Sequence, residues 1–253
     1  MQQQDPTKIS ILGVPIHHVS MGDTLQLVSR WMGEPRTDTP LRQICTANPE
    51  FVMKAQQDQL FLDVLGRADL CLADGIGLVY ASRWQGSAVP ERVPGSELVY
   101  HLAKLCAENG WRLFLLGAAE GVAAEAAEKL QNLYPGLQIA GTWSGSPALE
   151  ENESIVSKIE AGNTDVLYVA FGAPNQDKWI DRNKGSLTSV GLALGIGGSL
   201  DFITGRSTRA PEWVQSLGLE WLHRLWKEPW RWRRMLVLPK FLHLALLQAI
   251  KQR

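Results

Sequence analysis

Residues 165–177 read DVLYVAFGAPNQD, an apolar run from Val166 to Phe171 closed by Gly172 and Pro174. Strict alternation of polar and apolar residues would mark a strand with one wet face. An unbroken apolar run is the mark of a strand covered on both faces. Pro174 suits the first position of a helix, where its missing N–H costs nothing. The stretch therefore predicts strand, tight turn and helix, the repeating step of a parallel α/β sheet.

The same step recurs on either side. Ser189 to Leu194 predicts a last strand, running into Gly195-Ile196-Gly197-Gly198-Ser199-Leu200-Asp201. Towards the N-terminus come a helix over Leu149–Ala161, a short strand over Leu137–Ala140, an Ala-rich helix over Glu120–Leu133 and a strand over Trp111–Leu116. Before these, Glu91-Arg92-Val93-Pro94-Gly95 opens a helix over Ser96–Glu108, and the strand Asp69–Ala73 turns through Asp74-Gly75-Ile76-Gly77 into a helix ending near Gln85. Leu41 to Cys45 is a strand leading to Thr46-Ala47-Asn48-Pro49-Glu50. There an Asn cap, a Pro at the first helical position and an acid in the first turn make a strong helix start, followed by an apolar pattern through Leu65. Ser20 caps a helix to about Met32, and Lys8–Val19 reads as a strand or hairpin. The whole predicts an α/β fold: a Rossmann-like, mostly parallel sheet flanked by helices over residues 1–204, with a helical C-terminal appendage over 205–253.

The appendage differs in composition. Gly205 to Arg234 holds half of the ten Trp residues, and from Arg206 onward there are 10 Lys+Arg against 3 Asp+Glu, or +7, leaving −8 on the rest. The overall charge of −1 hides this polarity and argues against a general nucleic-acid binder. Trp, Leu and Arg interleaved on short helices read as an element that lies on an anionic membrane surface; the alternative is a helix pair packed on the core with solvated arginines. The longest apolar run, Met235–Ile250, is broken by Pro239, Lys240 and His243 and falls short of the ~20 residues a spanning helix needs. Cys45, Cys71 and Cys106 lack metal-ligand or redox spacing and fit buried thiols in a reducing cytoplasm.

Chemistry concentrates at the predicted strand ends. Thr46, Asn48, Asp74, Arg92 and Gln176 all fall where open α/β sheets bind ligands. A carboxylate there can deprotonate a hydroxyl, while amide and guanidinium groups hold a sugar or a diphosphate. Asn48 and Asp74 are equally the residues that a helix start takes as caps. Gly195 and Gly197 could bring backbone amides close to a phosphate, although no dinucleotide fingerprint appears. The chain has no Asp-Xaa-Asp, and its five His are dispersed apart from His17-His18. Neither a metal nor another cofactor is expected. The serine of Gly141-Thr142-Trp143-Ser144-Gly145 is one place out for a nucleophile elbow.

Taken together, Thr46–Glu50, Ala73–Gly77, Glu91–Gly95, Gly172–Asp177, Gly195–Phe202, Arg209-Ala210-Pro211 and Leu219–Leu225 resemble, in order, the motifs of the WecG/TagA/CpsF family of bacterial glycosyltransferases, glycosyltransferase family 26. The resemblance covers nearly the whole chain. It implies the Rossmann-like fold called GT-E. It also implies inverting, metal-independent transfer of a sugar of the N-acetylmannosamine, N-acetylmannosaminuronate or glucose type from a UDP-sugar to an undecaprenyl-diphosphate-linked sugar. That reaction belongs to cell-surface polysaccharide or teichoic acid synthesis, at the inner face of the plasma membrane. By the same resemblance Asp74 is the general base, Thr46 and Asn48 line the sugar pocket, Arg92 contacts acceptor or phosphate, and Gln176 holds the nucleotide. Arg209, Arg224 and one or more of Arg231, Arg233 and Arg234 neutralise the diphosphate. Asp177 stands where the family usually has Glu, and residues 141–147 (GTWSGSP) lack the family's aromatic ending. A nucleotide-dependent oxidoreductase and a non-catalytic membrane scaffold are the competing readings, and self-association is a further expectation.

Overall fold

The chain opens with an antiparallel hairpin, β1 (Lys8–Ile11) and β2 (Val14–His17), which stands outside the main sheet. Helix α1 (Met21–Gly33) follows, with Ser20 and Asp23 closing a reciprocal capping box. Six strands then build one sheet: β3 (Arg42–Ala47), β4 (Leu70–Ala73), β5 (Arg112–Gly117), β6 (Gln138–Trp143), β7 (Val166–Ala170) and β8 (Leu192–Gly195). Their order is β4-β3-β8-β7-β5-β6, and every neighbouring pair is parallel. The connecting helices are α2 (Pro49–Ala55), α3 (Gln59–Arg67), α4 (Ile76–Trp84), α5 (Gly95–Asn109), α6 (Val122–Leu133), α7 (Leu149–Ala161), α8 (Asn175–Asn183) and α9 (Ser199–Thr204); α10 (Val237–Lys251) is the last described helix. This computed structural model describes residues 6–35, 41–208, 210, 211, 214, 222, 225, 226, 232 and 236–252.

Because side chains alternate along a strand, the sheet sorts its residues into two layers. Ile44, Leu72, Leu115, Val166, Tyr168 and Leu194 meet α1, α5, α6 and α9 on one face. Phe114, Leu167, Val169 and Ala193 meet α7 and α8 on the other. Beside that second layer, Cys45, Ala47, Cys71 and Ala73 pack under the hairpin, α2, α3, α4 and α10. β7 is thus covered on both faces, as its apolar run predicts. The fully buried Tyr168 hydroxyl donates to the Val99 carbonyl at 2.8 Å, so its burial leaves no polar group stranded.

Several boundaries shift by a residue or two from the sequence expectation, and three differ by more. The apolar pattern through Leu65 breaks into α2 and α3, because Asp58 caps α3 by accepting from the Phe61 amide at 3.1 Å. β6 continues to Trp143. β8 starts at Leu192 rather than Ser189, whose amide and hydroxyl are both taken by the Glu160 carboxylate.

α10 lies in the stretch assigned to the appendage, yet Phe241, Ala245 and Ala249 are buried in the core beside α2 and α4. Gln248 fastens it to the hairpin, donating to the Ser10 carbonyl at 2.9 Å and accepting from the Leu12 amide at 2.8 Å. Its outer side presents Leu242, Leu246, Leu247 and Ile250 to solvent. Where the chain leaves the core, Arg206 pairs with Glu125 at 3.0 Å, and Lys129 reaches both Glu125 and the Thr204 carbonyl. Among the described residues no helix is long and apolar enough to cross a membrane.

Candidate active site at the strand ends

β4, β3 and β8 are adjacent, and their C-terminal ends deliver the predicted residues to one place. Ile44 pairs with Leu194 and Ala47 with Ala73. The segments carrying Thr46–Asn48, Asp74 and Gly195–Gly197 therefore leave the sheet side by side. Asn48 caps α2, its Oδ1 accepting from the Phe51 amide at 3.1 Å, which leaves the amide NH2 to donate elsewhere. Asp74 precedes its helix rather than capping it, since the cap of α4 is Gly75 and makes no side-chain bond. Its amide donates to the Ala47 carbonyl at 2.8 Å, tying the Asp74 turn to β3.

Glycines set the closeness of these segments. A Cβ on Gly75 would lie 2.6 Å from Pro49 Cδ and 3.2 Å from Asn48 Cβ, and one on Gly95 would lie 3.0 Å from both Oγ1 and Cγ2 of Thr46. Only a residue without a side chain permits the first approach, and a side chain in the second would push Thr46 aside. The loop bearing Arg92 is drawn in by the Val93 amide, which donates to the Ala73 carbonyl at 2.9 Å, one residue before Asp74. Thr46, Asn48, Asp74 and Arg92 thus form one cluster.

Gln176 joins it from the opposite side. Its Oε1 accepts from the Gly197 amide at 3.0 Å, and its side chain lies over Gly195, where a Cβ would stand 2.4 Å from Nε2. Gly197 has φ of +53°, in the left-handed region that favours glycine. The glycine turn after β8 is therefore tied to the start of α8. Lys54 on α2 reaches the same neighbourhood, donating to the Ala173 carbonyl at 2.8 Å. A cavity of about 160 Å³ lies beside it, between α2 and α10, lined by Glu50, Met53, Lys54, Gln57, Val237 and Lys240.

Beneath Gln176, Asp177 is completely buried. Burial pushes its carboxyl up to about 7, against a smaller opposing effect of the Cys45 thiol. All three cysteines are free and buried; burial raises Cys106 to about 12, which keeps it from acting as a nucleophile. Phe241 of α10 touches the turn after Asp74, lying 3.4 Å from the position a Cβ on Gly77 would take.

The structure brings together Thr46, Asn48, Asp74, Arg92, Gln176, Gly195 and Gly197. Arg209, Arg224, Arg231 and Arg234, together with Arg233, lie outside the described residues. Residues 141–147 span the end of the edge strand β6 and the turn after it, with β5 and β7 between it and β8. Lys54 and the buried Asp177 were not singled out for the site from sequence. The one signal for Lys54 is its position as the sole cation on a helix that is apolar but for Glu50 in its first turn.

Residues 9–253 match the model of the glycosyl transferase WecG/TagA/CpsF family. The chain belongs to this family. Among curated proteins it is similar to N-acetylglucosaminyldiphosphoundecaprenol N-acetyl-beta-D-mannosaminyltransferases. The one from Bacillus subtilis strain 168 is 36% identical over 198 residues, covering 78% of this chain and 76% of the relative. That of Bacillus spizizenii is 37% identical over 203 residues, 80% and 78%. That of Staphylococcus aureus strain MRSA252 is 31% identical over 242 residues, 96% and 93%. As a WecG/TagA/CpsF protein the chain is a glycosyltransferase, which decides against the oxidoreductase and scaffold readings. In this family member, the six-stranded parallel sheet is the expected Rossmann-like core.

Proposed function

We propose that this WecG/TagA/CpsF protein transfers N-acetylmannosamine from a UDP-linked donor to N-acetylglucosaminyl-diphosphoundecaprenol, with inversion and without a metal ion. The observation that carries this reading is the position of Asp74, a carboxylate at a strand end whose backbone amide is tied to β3 through the Ala47 carbonyl and whose neighbour Gly75 packs against Asn48 and Pro49 too closely for any side chain. The curated relatives supply the acceptor and the transferred sugar through their names. Asp74 takes the proton of the acceptor hydroxyl as its oxygen attacks the anomeric carbon from the face opposite UDP. The bond from that carbon to the β-phosphate oxygen breaks, and UDP departs with the electron pair. Gln176 and the Gly195–Gly197 turn hold the nucleotide. Arg92, with Arg209, Arg224, Arg231 and Arg234 from the appendage, offsets the charge growing on the diphosphate, as fixed cations and dipoles do in a preorganised site.

A lipid-linked acceptor places the reaction at the cytoplasmic face of the membrane, on which the protein sits peripherally. Supporting this are the +7 appendage with its five Trp, the exposed Trp226 and Trp232, and the outward leucines of α10. The test is UDP release from a panel of UDP-sugars with the lipid acceptor, followed by NMR of the new linkage. Turnover with UDP-N-acetylmannosamine that survives EDTA, giving an anomeric configuration opposite to the donor's, is expected. Release with no UDP-sugar, or retained configuration, would refute it.

A further inference from the structure

Asp177 is the one acidic side chain buried among the described residues, and neither of its oxygens has a hydrogen-bonding partner there. A carboxylate held this way would cost several kcal/mol if charged. Its carboxyl, raised to about 7 first by burial, agrees with a group that keeps its proton below neutral pH. A solvent-facing residue in a helix's first turn would be cheaper, and what Asp177 faces supplies the reason for this one.

The first turn of α8 is wedged across two strands. Asp177 is turned towards β3, where the Cys45 thiol lies against its carboxyl. The Gln43 side chain, completely buried, donates through Nε2 to the Asp177 carbonyl at 3.0 Å. Gln176, the preceding residue, reaches the other way, covering Gly195 at the end of β8 and accepting from Gly197. β3 is the strand that ends in Thr46 and Asn48. Two adjacent residues of one helical turn therefore couple the strand bearing the sugar-side residues to the strand bearing the nucleotide-side turn. Farther along α8, Lys178 to Asp58 and Asp181 to Arg67 tie the helix to α3 and its cap, so the first turn cannot drift independently.

We propose that Asp177, braced by Gln43 and Cys45 on β3, is a positioning residue that sets the first turn of α8. Through that turn it places Gln176 and the Gly197 amide so that the nucleotide-sugar donor is held in register with Thr46, Asn48 and Asp74. The inference rests on the transferase reading and names what determines donor affinity within it.

The test compares the full-length protein with Asp177→Ala, Asp177→Asn and Gln43→Met. One readout is hydrogen exchange of the Gly197 amide by NMR, and the other is the KM for donor and acceptor with kcat. Asp177→Ala should speed Gly197 exchange about tenfold and raise the donor KM about tenfold, through weakening of the hydrogen bond from the Gly197 amide to Gln176. The acceptor KM and kcat should stay within about twofold, the pattern of lost ground-state donor binding. Asp177→Asn, which keeps the shape and a neutral donor, should restore both values. Gln43→Met leaves Asp177 in place and should move both readouts in the same direction as Asp177→Ala, which guards against a variant that fails to fold. Unchanged Gly197 exchange and donor KM in both disruptive variants would overturn the proposal, as would equal rises in donor and acceptor KM. If the wild type turns over no UDP-sugar, the transferase reading fails, while the exchange of Gly197 still decides whether Asp177 positions the turn.

Discussion

The two ends of the sheet use similar residues to opposite effect. At the N-terminal ends of the strands, charges are spent on one another. Asp69 accepts from the Arg42 guanidinium at 2.9 Å and the Gln43 amide at 2.8 Å, and Asp165 accepts from the Arg112 amide at 2.7 Å and Nε at 3.1 Å. At the C-terminal ends, Gly75, Gly95 and Gly195 let Pro49 and Asn48, Thr46 and Gln176 approach the neighbouring backbone closely. An end whose charges are matched within the chain gains stability. The glycine-lined end is the one at which open α/β sheets bind their ligands.

Exchanging the two kinds of acid is the strongest way to break this contrast. Asp74→Asn should lower kcat about 10³-fold, within the range typical of a lost general base, with the melting temperature nearly unchanged. Asp165→Asn should do the reverse, costing about 1–3 kcal/mol of stability through unsatisfied partners while kcat per folded molecule holds. Chemical denaturation alongside UDP release would measure both, and a stability loss without an activity loss in Asp74→Asn would erase the distinction.

A smaller effect separates glycines at the site from those elsewhere. Gly195→Ala should lower kcat/KM about 10–100-fold, since its Cβ would displace Gln176 and misplacements of this size carry that cost. Gly185→Ala, where a Cβ meets nothing within 4 Å, should leave kcat/KM as it is. Steady-state kinetics on the pair would sharpen or remove the role assigned to close approach.

The smallest expected effect concerns Asp177, which belongs to neither pattern. Its folded pKa of about 7 lies above the ordinary 3.8. Between these values the unfolded chain gives up the proton and the folded one keeps it, so stability falls as pH rises from about 4 to 7 and levels off above. Asp177→Asn removes this contribution. Melting curves of the two proteins should diverge by a few °C across that window, and curves that stay parallel would show that the carboxyl does not titrate as its burial requires.

Much of the fold was legible because each strand between Leu41 and Leu194 except the edge strand β6 is a short, mostly apolar run closed near its end by Gly, Pro or Asn. Strand order was not, because nothing local tells β8 to insert between β3 and β7; helix packing on both faces decides that. Thr46, Asn48, Asp74, Arg92 and Gln176 were legible as polar residues at strand ends. The separate task of Asp177 was hidden, since an acid in a helix's first turn ordinarily serves the helix dipole in solvent. Asp58 was overlooked as a cap inside a continuous apolar pattern, which is why one predicted helix became two.

The bond between Gln248 and the Ser10–Leu12 turn joins groups 236 residues apart. During synthesis the hairpin therefore waits for α10 to emerge, a delay of roughly 10–50 s at ordinary ribosome speeds of ~5–20 residues per second. Through that interval Cys71, Ala73 and the turn beyond Asp74 lack the cover that Phe241 and its neighbours provide. The nascent chain thus keeps this apolar surface open, and within reach of chaperones, until α10 docks.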